Sequence, residues 1–221
     1  MKHGAVSAIV ILFVAAGIIF LVPAILWAHG QIIRYFNGQC WFNTYNTLRN
    51  LKSEMQHMRA DEGKYYLVNI GSCTGGIVFV NRNDIPEFYK DVIEEECNPH
   101  EDFRSYIIAF PWKTLYSEVQ QSQTLSEDIK EKFTWEYYVD KYRYLKESYN
   151  LKELIKKTKP ICFGLESAFY NNLYLPETIN PDGRIEPNEE AADFCLYLRK
   201  DAVDGYYVFG IKHEKTTMCR T

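Results

Sequence analysis

The sequence predicts an α+β protein, with a single N-terminal transmembrane helix followed by one compact domain of short antiparallel β-hairpins packed with helices. Three segments of the 221-residue chain predict it. Residues 1–28 hold a long apolar run, residues 29–60 repeat apolar side chains at helical spacing, and residues 61–221 alternate β-rich runs with helical patterns. We expect a signal anchor, a juxtamembrane amphipathic helix and an extracytoplasmic α+β domain, respectively.

The N-terminal segment is long enough to cross a membrane. Residues 5–28 read AVSAIVILFVAAGIIFLVPAILWA and include no charged residue. A helix needs about 20 apolar residues to cross the hydrocarbon layer. A secretory signal peptide has a shorter apolar core and a small-x-small cleavage site, whereas bulky Leu26 precedes Ala28 by two positions here. These features favour an uncleaved, single-pass anchor.

The residues that flank the apolar run indicate its orientation and its membrane boundary. Lys2 precedes the run, and Arg34 is the nearest Lys or Arg after it. The positive-inside rule favours an N-terminus inside and a main domain outside the cytoplasm. Amphipathic aromatic side chains collect at membrane interfaces. Four are expected to do so here: Trp27, Tyr35, Phe36 and Trp41.

The charge balance argues against a nucleic-acid partner. The chain has a formal net charge of −4, with 25 Lys and Arg against 29 Asp and Glu. Phosphate binding needs a concentrated cationic surface. We interpret the basic cluster as the solvated face of a short helix; its members are Lys152, Lys156, Lys157 and Lys159.

Cysteine usage predicts disulfides. The chain has six widely spaced cysteines and no CxxC motif, which favours disulfides over zinc or redox chemistry. Cys40 lies in the predicted juxtamembrane helix and is the one expected to stay free. A local bridge is expected between the two cysteines that flank a predicted hairpin, and several buried free thiols are the alternative. The candidate disulfide cysteines are Cys73, Cys97, Cys162, Cys195 and Cys219.

Strand and helix patterns recur along the domain. Residues 65–70 and 77–80 are β-rich and joined by a Gly-rich linker, which predicts a hairpin, and residues 194–198 and 206–211 predict a second one. The juxtamembrane helix is predicted from a stripe at three- and four-residue spacing, formed by Phe42, Tyr45, Leu48, Leu51, Met55 and Met58.

The middle of the domain is predicted to be mainly helical. A helix is expected over 84–96, a strand over 105–110, helical stripes from Ser126 to Tyr149 and a shorter helix over 151–157. The aromatic side chains of the stripes are interpreted as core packing in preference to a ligand groove. Pro, Asn and Gly in residues 176–188 predict a loop.

Two cysteine motifs contain the residue types of a reactive site. Residues 71–75, Gly-Ser-Cys-Thr-Gly, match the G-x-nucleophile-x-G form, but a strand follows where a nucleophile elbow needs a helix. A turn with a disulfide-forming Cys73 is the favoured interpretation. Cys97, His100 and Asp102 place a thiol, an imidazole and a carboxylate close in sequence, but no second ligand pair stands at zinc spacing.

Other ionisable residues do not form a recognisable site. His57 and His213 are isolated, and the acidic run lacks the ligand spacing of an EF-hand loop. We therefore assign no metal, cofactor or catalytic residue. The acidic run, interpreted as a solvated turn, consists of Glu186, Glu189, Glu190 and Asp193.

Three functional hypotheses follow. The first is a membrane-anchored, non-enzymatic interaction or assembly module, a subunit or accessory component of a membrane or envelope complex. Its expected partners are the lipid bilayer and either another protein or further copies of itself. The second is a filament subunit assembled through its N-terminal apolar helix. The third is a thiol-dependent enzyme using Cys73 or the cluster of Cys97 and His100.

The filament hypothesis depends on a resemblance in the first 30 or so residues. Lys2-His3-Gly4-Ala5, followed by a long apolar segment with Pro23, resembles prokaryotic type IV pilin-like precursors. The resemblance implies that a short basic leader is removed and that Ala5 becomes the N-terminus. The sequence departs from the family pattern at the fifth position after such a cut, where Ile9 replaces the usual Glu.

Overall fold

The structure is a computed structural model. It describes residues 3–70, 73–98, 100–175, 192–203, 205–212 and Cys219. The chain divides into two units, Met1–Gln39 and Cys40–Thr221. The described helices and strands are α1 (His3–His57), β1 (Gly63–Ile70), β2 (Gly76–Asn81), α2 (Lys90–Glu96), β3 (Ser105–Phe110), α3 (Trp112–Gln121), α4 (Glu127–Lys132), α5 (Trp135–Asp140), α6 (Tyr142–Glu147), α7 (Tyr149–Lys157), β4 (Ile161–Leu165), β5 (Ala168–Phe169), β6 (Leu173–Leu175), β7 (Ala192–Lys200) and β8 (Gly205–Lys212).

Helix α1 spans His3–His57, with Pro23 inside it. Within the run, the structure describes the side chains of residues 19–25 and 28. Across the described residues, no helix combines the length and the apolar character that spanning a membrane requires. The later part of α1 buries four side chains of the predicted stripe, Leu48, Leu51, Met55 and, just past its end, Met58.

The first sheet has the strand order β1–β7–β8–β5. Strands β7 and β8 form the antiparallel hairpin that the sequence predicts for 194–198 and 206–211. Strand β1 pairs antiparallel with β7, and the short β5 pairs parallel with β8. Because β1 and β7 are far apart in sequence, their pairing closes a long loop of the chain.

The second sheet has the order β4–β3–β2–β6, and every described pairing in it is antiparallel. The predicted hairpin of 65–70 with 77–80 is therefore wrong, because β1 and β2 belong to different sheets. Their burial explains the separation. Strand β2 is buried from Gly76 to Val80, as a strand covered on both faces should be, whereas β1 alternates exposed Tyr65 and Leu67 with half-buried Tyr66 and buried Val68.

The two faces of β2 and β3 pack into two apolar clusters. Ile77, Phe79, Ile107 and Ala109 pack with side chains of the first sheet and of α1. The alternate side chains of both strands pack with the helices. The second sheet therefore lies between the first sheet and a helical layer, which makes an α+β fold of antiparallel sheets and helices.

The central helical region is divided into three short helices, α4, α5 and α6. The sequence pattern predicts helical stripes that continue through this region. The structure corrects this prediction, because the region is broken into separate helices. Thr134 has extended backbone angles, and its hydroxyl accepts a 3.2 Å hydrogen bond from the Tyr137 amide, which caps a new helix. Lys141 separates α5 from α6. These breaks allow aromatic side chains of both predicted stripes to be buried: Phe133, Trp135, Tyr138 and Tyr142.

The other sequence predictions for this region have different outcomes. Strand β3 and helix α7 fall where the sequence predicts them. The helix predicted from 84 begins as two 3₁₀ turns, Arg82–Asp84 and Glu87–Tyr89, and becomes α-helical at Lys90. The predicted loop over 176–188 lies outside the described residues.

All six cysteines form disulfides: Cys40–Cys73, Cys97–Cys162 and Cys195–Cys219. The expected local bridge is present, whereas the expectation that Cys40 stays free is wrong. Cys40 lies on α1, and Cys73 lies just before β2. Their Cα atoms are 6.1 Å apart. Thr44 is buried one turn after Cys40 on α1, and its hydroxyl donates a 3.0 Å hydrogen bond to the Cys40 carbonyl. Three disulfides fit an oxidising compartment.

The loop lengths predict how much each disulfide stabilises the fold. Cys97 and Cys162 are 65 residues apart, and Cys195 and Cys219 are 24 apart. In the chain-entropy account, replacing the longer-loop pair by alanines should lower the free energy of unfolding by about 4 kcal/mol, and replacing the shorter-loop pair by about 3.5 kcal/mol.

Urea unfolding of the full-length chain in detergent measures both values. Val203→Ala, at a side chain that is 80% exposed, is the matched control and should change stability by less than about 0.5 kcal/mol. A larger loss for the Cys195–Cys219 pair than for the Cys97–Cys162 pair would contradict the loop-length account.

Candidate interaction surface

The first sheet presents one side to the core and the other to solvent. Side chains alternate along a strand, so buried Val68, Leu196, Leu198 and Val208 leave their neighbours pointing outward. Most of those neighbours are aromatic or apolar, with Arg199 among them, whereas an exposed sheet side is usually polar. We call this set the outer aromatic face: Tyr65, Leu67, Tyr170, Tyr197, Tyr207 and Phe209.

One row of the face crosses three strands. Tyr65 on β1 is opposite Tyr197 on β7, which is opposite Phe209 on β8. The rings of Tyr65 and Tyr197 lie 4.9 Å apart between centroids. Directly opposed aromatic side chains stabilise strand pairing, yet Tyr65 and Phe209 remain about half exposed, at 48% and 50%. The row therefore keeps substantial apolar surface in contact with water.

A second row lies next to it. Tyr207 stacks on Tyr170, with centroids 4.6 Å apart, and its ring is nearly parallel to that of Phe209 at 6.5 Å. The hydroxyl of Tyr170 donates to the Asp201 carboxylate at 2.9 Å, which fixes the outer end of the row. Aromatic side chains are thus present from β1 across β7 and β8 to Tyr170, just after β5.

Two glycines allow rings to lie low across the sheet. A Cβ atom at Gly63 would overlap the end of the Tyr197 side chain, and one at Gly205 would overlap the Tyr170 ring. The absent side chains leave room for both tyrosines to rest on neighbouring strands. The outer aromatic face is accordingly flatter than a sheet of upright side chains.

Charges of both signs lie on and around the face. Arg199 on β7 is opposite Gly63 and Tyr207, so it lies on the outward side of the sheet. Its guanidinium is 3.6 Å from the Asp61 carboxylate, and both side chains are at least half exposed. Lys64 alternates with Tyr65 along β1 and so lies on the other side of the strand, where its ammonium contacts the Glu62 carboxylate at 3.0 Å and the Glu54 carboxylate at 3.6 Å. At one border of the face, Cys195 is on the outward side of β7 and is covered by its disulfide with Cys219.

The cysteine motifs considered as reactive sites contain no free thiol. Cys73 and Cys97 are both in disulfides, so neither can supply a thiolate for nucleophilic attack. His100 contacts the Asp102 carboxylate at 3.0 Å, and both side chains are largely exposed. Among the described residues, no group of His, Cys, Asp and Glu is arranged to hold a metal ion.

Several predicted residues have other environments or cannot be placed. Trp41 is half-buried and packs against the cluster shared by α1 and the two sheets. The side chains of Trp27, Tyr35 and Phe36 lie outside the described part of the chain, as do His213 and the acidic residues Glu186, Glu189 and Glu190. Asp193, the last residue of the acidic run, lies in β7 opposite Asn69, so it belongs to a strand and not to the predicted turn. His57 is exposed, with Nδ1 2.6 Å from the Ser53 carbonyl.

A cavity of about 400 Å³ opens beside α5. Tyr137 and Trp135 both line it, although Trp135 is only 2% exposed and also packs in the core, as the sequence interpretation expects of these aromatic side chains. Two of the charged groups around it have partners, since Lys132 contacts Asp128 at 2.7 Å and Asp140 contacts Lys141 at 2.7 Å. With these groups already paired, the cavity is a weaker candidate site than the outer aromatic face.

A carboxylate cluster on α2 is neutralised by α6. Glu96 is only 5% exposed and receives hydrogen bonds from Tyr142 at 2.9 Å and Lys146 at 2.7 Å. Burial raises the pKa of Tyr142, so its hydroxyl stays protonated and available as a donor. Lys146 also donates to Glu95, and this hydrogen bond lowers the pKa of Glu95. The cluster is thus a structural contact between two helices.

Sequence reasoning located the strands of the outer aromatic face but missed the face itself. The runs 65–70, 194–198 and 206–211 contain apolar or aromatic side chains at most positions, so their outward side cannot be distinguished by polarity. The available signal was the excess of tyrosine in strands, since tyrosine is enriched at interfaces.

Comparison with known proteins found no relative of this chain. No protein-family model, no curated protein and no solved structure matches this chain.

The contact between α2 and α6 should make stability depend on pH. A carboxyl whose folded pKa is lowered stabilises the fold above its ordinary pKa of about 4.5, and this contribution disappears as the pH falls through the folded value. Lys146→Met should therefore cost about 1 kcal/mol at neutral pH and much less at pH ~3.

Urea unfolding at the two pH values measures the difference. Lys157→Met on α7, at an exposed lysine, is the control and should show no comparable pH dependence. An equal loss for Lys146→Met at both pH values would show that its contacts with the α2 carboxylates do not account for the loss.

Proposed function

We propose that this chain is a membrane-anchored, non-enzymatic interaction module, a subunit or accessory component of a membrane or envelope complex. The observation that carries the proposal is the outer aromatic face. Exposed apolar patches of several hundred Å² mark protein interaction sites, and tyrosine is enriched there. The cysteines that an enzyme would use are in disulfides, which removes the support for a thiol-dependent activity.

The membrane part of the proposal is supported by the N-terminal segment. Its 5–28 run has no charge and is contained in α1. Five of its large apolar side chains are exposed by roughly half or more: Ile19, Phe20, Leu21, Val22 and Ile25. Lipid would cover such side chains. The three disulfides support a domain outside the cytoplasm, since such bonds persist in oxidising compartments.

Carbonate washing and crosslinking test the two parts together. The full-length chain should remain in the membrane pellet after the wash, and loss of intact chain to the supernatant would overturn the anchor. In the same membranes, amine-reactive crosslinking should give defined protein adducts, and Phe209→Glu should reduce their yield at least about tenfold, because it places a charge in the centre of the face.

The control replaces an exposed tyrosine away from the face. Tyr144→Glu on α6, at a side chain that is 64% exposed, should leave the adducts unchanged. Equal adduct yields from the native chain and from Phe209→Glu would overturn the proposed role of the face.

A filament subunit is the second candidate, favoured by the continuity of α1. One helix extends from the apolar segment to His57, as assembly through an N-terminal apolar helix would need. Intact-mass measurement tests it. A mature chain that begins at Ala5 would support the filament, whereas a chain that begins at Met1 would remove it.

A further inference from the structure

We propose that the partner of the outer aromatic face is a second copy of this chain, packed face to face about a twofold axis. This inference rests on the proposed function, because it names the partner of the same surface. An isologous dimer requires a surface that fits itself in shape, area and charge.

The area is sufficient for a dimer of modest affinity. Tyr65, Leu67, Tyr170, Tyr207 and Phe209 expose between 36% and 50% of their side chains. At about 200 Å² for a large side chain, they offer roughly 400–500 Å² per copy. Two copies would bury on the order of 1,000 Å² with the borders included, close to the lower limit for a specific interface. Confinement to a membrane raises the effective concentration and makes such an interface usable.

The shape suits packing of one sheet on another. Stacked sheets lie about 10 Å apart and interdigitate their facing side chains. The rings of Tyr197 and Tyr170 rest over Gly63 and Gly205, and the Phe209 ring is half exposed on the same face. A twofold axis places the Phe209 ring of each copy against the tyrosines of the other.

The charges also fit a second copy better than a partner with strong charge of one sign. The face offers Arg199, which is paired with Asp61, and the Asp201 carboxylate lies beside Tyr170. In a twofold arrangement, the guanidinium of one copy can meet a carboxylate of the other. A strongly basic or strongly acidic partner would meet repulsion at one of these groups.

The contact uses the face and not the edge of the sheet. Strand β1 is at an edge, where a further strand from another chain can pair with the backbone. Lys64 lies on this strand and is held by Glu62 and Glu54, which puts three charged groups beside that edge. Charged side chains, lysine above all, are the usual obstacle to edge pairing. On the face itself, the charge of Arg199, which lies opposite Tyr207, is paired with the Asp61 carboxylate.

Sedimentation equilibrium of the full-length chain in detergent micelles tests the dimer. The native chain should be in monomer–dimer equilibrium, and Phe209→Glu should raise the dissociation constant at least about 30-fold, the loss expected at an interface hot spot. Tyr144→Glu, which has the same chemistry on α6, should leave it unchanged. Circular dichroism melting of both variants shows whether each is folded.

Photo-crosslinking provides a readout that does not depend on folding of a charged variant. With p-benzoylphenylalanine in place of Tyr207, the crosslinked peptide of the second copy should come from β1, β7 or β8. The same probe in place of Tyr144 should give no dimer crosslink. A crosslink that maps to another part of the second copy would overturn the arrangement.

The outcomes separate this inference from the proposed function. A chain that stays monomeric at all accessible concentrations, or a dimer unaffected by Phe209→Glu, overturns the homodimer. If the chain is monomeric and its membrane adducts with other proteins still depend on Phe209, the interaction module stands and its partner is another protein.

Discussion

Burial of the second sheet on both of its faces is the constraint on which the rest of the structure depends. Strands β2 and β3 present apolar side chains alternately to two clusters, one shared with the first sheet and α1 and one shared with the helices. Burying a large apolar side chain contributes about 1.5–3 kcal/mol, whereas an exposed ion pair contributes about 0–1 kcal/mol. Apolar layers therefore determine the architecture, and contacts such as Lys146 with Glu96 orient helices within it. A sheet buried on both faces needs a cover on each, which the first sheet and the short helices supply.

This constraint explains which features could be predicted from the sequence. The β7–β8 hairpin is local, so its two β-rich runs and intervening turn were sufficient to predict it. The pairing of β1 with β7 joins residues more than 100 positions apart, and no local pattern encodes such a contact. The Gly-rich linker after β1 resembles a hairpin turn, but the continuous burial of Ile77–Val80 requires two strand neighbours within the second sheet. Likewise, the disulfide partner of Cys40 could not be predicted from the spacing of the cysteines, because it depends on the position that Cys73 takes after β1 in the folded chain.

The outer aromatic face escaped prediction for a related reason. Alternation between polar and apolar residues reveals which side of a strand faces water, and β1 and β8 lack it because both of their sides are apolar or aromatic. Only the register assembles Tyr65, Tyr197 and Phe209 into one row, and register is a property of the folded sheet. The predicted core packing of the central aromatics, in contrast, needed no long-range information, since helical spacing alone places Trp135, Tyr138 and Tyr142 on a buried side.

Exposed aromatic rows on a sheet carry a risk of non-specific association, and the surroundings of this face restrict it. Strand formation alone does not require these side chains, because threonine or valine would serve the outward positions of β1 and β8 equally well. Lys64 and its acidic partners lie beside the β1 edge, and the Cys195–Cys219 disulfide covers the surface at another border. Among the described residues, the aromatic rings of the face stay partly accessible, with Arg199 beside Tyr207 and with the Asp61 and Asp201 carboxylates nearby. A surface bounded in this way favours contact through a single face over open-ended pairing of strands, which is the property that an assembly module needs.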